Sequence, residues 1–144
     1  MSIWSLASNA SAWRGYEYYK QNRVELYEKL SDGIYECRIQ GSDDNPYHTI
    51  IDVAHPRKSR CNCPFADGRR VMCKHMVALL FAVHPREAEA YMEEIEESEK
   101  EEERYRQEHY REIERYVKSL KKDELQEQLF NALIELEDRR SRYW

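Results

Sequence analysis

Cys61-Asn62-Cys63-Pro64-Phe65-Ala66-Asp67-Gly68-Arg69-Arg70-Val71-Met72-Cys73-Lys74-His75 decides how this 144-residue chain is read. The pattern is C-x-C, nine intervening residues, then C-x-H, and three thiols with one imidazole make a complete tetrahedral zinc set. In an extended strand the side chains of residues two apart point to the same side, so Cys61 and Cys63 can converge on one ion, with Pro64 holding Cys63 extended. Inside a helix the same spacing fails, because residues two apart sit about 200° around the axis from one another. Cys73 and His75 can therefore share an ion only where Cys73 precedes a helix or opens it, and the apolar run Met76, Val77, Leu79, Leu80, Phe81, Val83 supplies that helix. The positive end of the helix and the neighbouring Arg69, Arg70 and Lys74 favour the Cys73 thiolate. Four protein ligands leave no position open for water, so the spacing predicts a structural Zn2+ held by Cys61, Cys63, Cys73 and His75 and no catalytic metal. Reduced cysteines without metal, or a redox-active Cys61-x-Cys63 dithiol, are the alternatives.

Outward from the ligands, the chain alternates like a small sheet. Val24 to Leu30, the turn-like Ser31-Asp32-Gly33, and Ile34 to Gln40 with Tyr35, Cys37 and Ile39 at period two read as a β-hairpin. The breaker cluster Gly41-Ser42-Asp43-Asp44-Asn45-Pro46 separates it from a third strand, Tyr47 to Ala54, with Tyr47, Thr49, Ile51 and Val53 on one face. Upstream, Asn9 to Asn22 follows a candidate N-cap, Ser8, and carries Trp13, Tyr16 and Tyr19 three apart, as on the inner face of a helix covering the sheet. Cys37 fits that core better than a ligand set. His48, His55, His84 and His109 are scattered and are read as structural or exposed.

Beyond Pro85 the character of the sequence changes. Residues 1–85 carry 11 Lys+Arg against 9 Asp+Glu, and residues 86–144 carry 12 against 19, so a +2 segment precedes a −7 segment. Arg86 to Lys122 has no glycine or proline, and the pairs Glu96 with Lys100, Glu102 with Arg106 and Glu114 with Lys118 suit a solvated helix; a frayed charged linker is the other reading. Asp123 with Gln126 resembles a capping box, and Leu125, Leu129, Leu133 and Leu136 with Phe130 and Ile134 form an apolar stripe that needs a partner. The expected organisation is a zinc-binding domain over 1–85 and a charged helical extension with an amphipathic last helix over 86–144. The expected fold class is α+β: a small antiparallel β-sheet with flanking helices around a structural zinc site, then an α-helical extension.

Taken with its surroundings, C-x-C-x9-C-x-H resembles the SWIM zinc-finger family. Arg14-Gly15-Tyr16-Glu17-Tyr18-Tyr19 with Val24, and the pairs Cys63-Pro64 and Lys74-His75, are similar to bacterial, stand-alone members, so the resemblance spans roughly residues 9–85. It implies a compact zinc module that binds DNA or protein partners, and it implies no catalysis.

Charge carries the functional expectation. Within 57–75, Arg57, Lys58, Arg60, Arg69, Arg70 and Lys74 oppose only Asp67, a net of +5, and a zinc dication with three thiolates brings this to +4. Such a face suits nucleic acid, with Phe65 beside the two loop arginines. The alternative is an interaction adaptor that docks a protein partner, or a second copy, through its C-terminal helices. No Gly-rich phosphate loop or nucleophile and base set is present, so neither an enzyme nor a small-molecule substrate is expected. No apolar run approaches the roughly 18 residues of a membrane span, and Met1-Ser2-Ile3-Trp4 lacks the basic and apolar stretches of a secretory signal. A cytoplasmic protein is expected.

Overall fold

Alternation and capping set the local structure of the computed structural model, which describes residues 1–41 and 45–143. Strands β1 (Tyr27–Ser31) and β2 (Ile34–Ile39) form the hairpin, with Gly33 at φ +74°, a left-handed position that favours glycine. β3 (Tyr47–Asp52) pairs antiparallel with β2, setting Cys37 opposite Thr49 and Tyr35 opposite Ile51. Three of the six expected breaker residues, Ser42, Asp43 and Asp44, lie outside the described residues. A fourth strand, β4 (Arg60–Cys61), pairs with Thr49 and Ile50 and completes the order β1-β2-β3-β4. The sequence reading stopped at three strands because a two-residue strand has no periodicity to detect.

Helix α1 (Ile3–Leu6) is a single turn, and α2 (Asn9–Lys20) starts where Ser8 accepts a hydrogen bond from the Ser11 amide. Helix α3 (Lys74–Val83) lies between the sheet and α2, packing on β2, β3 and β4 on one side and on α1 and α2 on the other. Residues His75 to Phe81 are consequently all buried, as a helix that is apolar on every side requires. Gly15 is the point of closest approach between α2 and α3: a Cβ there would lie 2.5 Å from Val77 Cβ.

Pro85 opens α4 (Pro85–Ser119), at the position where its missing N–H costs nothing. Ser2 Oγ and Trp4 Nε1 both donate to Glu87 Oε2, at 3.0 and 2.7 Å, and Tyr91 packs edge-on to Trp4. The first turns of α4 thus belong to the core of the first unit, and the chain divides into the units Met1–Ile95 and Glu96–Trp144. Along the second unit α4 carries Glu114 with Lys118 at 2.8 Å, as expected from the spacing, together with Glu103–Arg106 and Glu108–Arg115. Helix α5 (Lys122–Ser141) begins one residue before the expected cap: Lys121 is the N-cap and makes no side-chain cap bond. Asp123 and Glu124 lie within its first turn, where they favour the helix dipole instead of forming a capping box. Among the described residues, no helix is long and apolar enough to cross a membrane.

Candidate metal centre

The four donor residues arrive from three local structures. Cys61 ends β4, Cys63 begins the turn that follows, Cys73 is the N-cap of α3 and His75 sits in its first turn. The strand stops at Cys61, and Cys63 follows two residues later at the head of the turn. Ala66 and Asp67 amides donate to the Cys63 carbonyl at 3.1 and 2.8 Å, and Gly68 at φ +69° lets the chain leave the turn.

All four side chains are buried, and their donor atoms lie within 4.8 Å of one another. His75 Nδ1 is 3.7 Å from Cys61 Sγ and 3.9 Å from Cys73 Sγ. A tetrahedron with metal–sulfur bonds of about 2.3 Å and metal–nitrogen bonds of about 2.0–2.1 Å has S···N edges of about 3.6 Å and S···S edges of about 3.8 Å. The cluster therefore already has close to the size of a coordination sphere, and Nδ1 is the imidazole donor.

The backbone amides of Cys63 and Ala66 favour the thiolates of Cys61 and Cys63 respectively. Thr49 adds a hydroxyl, its Oγ1 lying 3.2 Å from Cys61 Sγ. Bonds of this kind support thiolates. The protein alone supports only one of them. Hydrogen bonds from Cys73, His75 and Thr49 hold the Cys61 thiol down to about 3 despite its burial. The bond to Cys61, with burial, drives Cys73 in the opposite direction, and burial raises Cys63. Three buried sulfurs and one imidazole nitrogen gathered at these distances suit a cation, so the residues fit a metal ion.

A comparison with known families agrees with this fold and these donors. The SWIM zinc finger family matches residues 35–84, from the middle of the hairpin to the end of α3. This segment is similar to a SWIM zinc finger. No curated protein and no solved structure matches the chain.

Around the finger's donors, His75 packs against the rings of Tyr47 and Tyr18, with centroids 5.1 and 5.6 Å away. Its Nε2 is buried and has no hydrogen-bond partner among the described residues. Aromatic rings, not a carboxylate or carbonyl, thus orient this imidazole. Cys37 is buried on the same sheet face as Thr49 and Cys61 but outside the four-donor cluster, and burial pushes its thiol up to about 12. It is a core residue. His84 is exposed and meets Tyr35 edge-on.

The six cations singled out from sequence fall on four elements. Arg57 and Lys58 are on the 3-10 turn Pro56–Lys58, Arg60 is on β4, and Arg69 and Arg70 follow the metal-loop turn; all five are exposed. Lys74 is half-buried at the start of α3, with Nζ 4.9 Å from the Tyr18 ring centroid. Sequence reading missed Arg23, whose guanidinium lies 4.2 Å from the same ring centroid. Tyr18 and Arg23 are joined across the end of α2, where Asn22 takes φ +54°, and helical spacing does not reach over that reversal. Thr49 was read only as one member of an alternating strand. Its role depends on β4 lying beside β3, which the sequence pattern did not reveal.

Proposed function

We propose that the chain is a zinc-stabilised binding module, not an enzyme, and that its ligand is nucleic acid, in the first place DNA. Zn2+ is the ion best suited to Cys61, Cys63, Cys73 and His75, since three thiolates and an imidazole match its preferred donors and close its tetrahedral sphere. The ion's contribution is structural: it ties the end of β4, the turn and the start of α3 together. Four protein donors leave no place for a bound hydroxide, which supports binding over catalysis.

The observation that carries the nucleic-acid reading is unopposed charge. Among the described residues, none of Arg57, Lys58, Arg60, Arg69, Arg70 and Lys74 forms an ion pair, although the chain as a whole has net charge −5. Phosphates would neutralise these side chains and release counterions. Titrating the affinity of the zinc-loaded full chain for DNA against salt tests this. Each phosphate contact to a duplex adds about 0.9 to the steepness of log K against log salt, so Arg69→Ala with Arg70→Ala should flatten the plot by about 2. Failure to bind DNA at low salt would contradict the proposal.

A second reading has its own observation. Helix α5 has no buried residue, and Leu129, Phe130 and Leu136 are 60 to 64% exposed. This apolar surface supports docking of a protein partner or of a second copy. Concentration-dependent self-association abolished by Leu129→Asp with Leu133→Asp is the expected result for a second copy, and a chain that sediments as a monomer at all concentrations would contradict it.

A further inference from the structure

We propose that Phe65 is a base-stacking platform and that the nucleic acid the finger takes is single-stranded. The inference rests on the nucleic-acid reading above and specifies its ligand. Phe65 stands on the turn locked by the amides of Ala66 and Asp67 to the carbonyl of Cys63, itself a metal donor, so its backbone is fixed by the site. Its ring is nevertheless 48% exposed, outside the hydrophobic core. Arg69 braces it from one direction: the guanidinium lies 5.3 Å from the ring centroid, and Nη1 donates to the Phe65 carbonyl at 3.1 Å. Among the described residues no other aromatic ring packs on it.

A rigid aromatic ring with a bound guanidinium and further cations nearby is the combination that holds an unstacked base and its phosphate. Within a duplex both faces of a base are covered by its neighbours, so this ring has nothing to stack on. The finger's own helix offers no alternative readout. A major groove admits a helix by one of its faces, and α3 is buried on all sides from His75 to Phe81.

The test uses the zinc-loaded full chain with a short oligothymidylate and a duplex of the same length. The single strand should bind more tightly, and Phe65→Ala should weaken it by about 5- to 150-fold with the steepness of the salt dependence unchanged. Phe65→Tyr should restore binding. With Phe65→Trp, the indole fluorescence should be quenched as the oligonucleotide binds. The inference is overturned if the duplex binds as tightly or more tightly, or if Phe65→Ala binds the single strand like wild type. A wild-type chain that binds neither probe refutes the nucleic-acid reading itself, and this inference with it. Because Phe65 lies outside the core, the Phe65→Ala melt should match wild type, which separates a stacking role from a folding one.

Discussion

The units Met1–Ile95 and Glu96–Trp144 show two ways for one chain to hold regular structure. In the first, a three-layer arrangement buries α3 from His75 to Phe81, and four metal donors sit where β4 and α3 meet. In the second, no described residue is buried, and the helices are supported by i,i+3 and i,i+4 ion pairs and by acids in the first turn of α5. The comparison separates a fold from a secondary structure. The first unit has long-range contacts that exist only together, so it should unfold in one step. The second has mainly local ones, each contributing a few tenths of a kcal/mol, so it should lose helix gradually.

The largest effect expected is on the first unit alone. Cys73→Ala leaves three donors and removes the sulfur at the N-cap of α3. Structural zinc supplies about 10–16 kcal/mol of apparent binding free energy in finger peptides, against about 5–15 kcal/mol for the stability of a whole domain. Cys73→Ala should therefore abolish the cooperative transition and leave the gradual one. A two-step melt identical to wild type by circular dichroism would break the comparison.

Smaller changes grade the dependence on the ion and on packing. Thr49→Val keeps the shape of the side chain and removes the hydroxyl beside Cys61. Competition with a chelator of known affinity should show metal binding weakened about 10- to 100-fold, the usual range for a supporting bond around a ligand. Gly15→Ala forces a methyl against Val77, and because both helix backbones are packed there it should destabilise the first unit by about 1–3 kcal/mol with metal affinity little changed. Chemical denaturation of the loaded protein measures it. The smallest effect belongs to Leu129→Asp with Leu133→Asp, which should move the cooperative transition by less than about 0.5 kcal/mol, as exposed positions do.

The same contrast explains what the sequence revealed. The donor set, the hairpin, β3, α2 with its Ser8 cap and the apolar α3 all follow from spacing and periodicity, because each is specified within one short stretch of chain. β4, the bond from Thr49, the cation pair over Tyr18 and the anchoring of Trp4 to Glu87 join residues far apart or across a reversal, and no local pattern records them. Charged helix likewise gave no signal of where the finger's core ends. Pro85 marks a new helix, but Ala88 and Tyr91 keep its first turns in the core. At α5 a local pattern misled, since the apparent Asp123 and Gln126 box competes with acids in the first turn, which suit the helix dipole equally well.

The central claim is that an ion in the Cys61, Cys63, Cys73 and His75 site holds the first unit together. Elemental analysis of full-length protein purified without added metal, combined with thermal melts before and after a strong chelator, tests it most directly. The account predicts about one zinc per chain and loss of the cooperative transition on chelation, with the gradual helical signal retained. A metal-free protein whose cooperative melt the chelator leaves unchanged would contradict it.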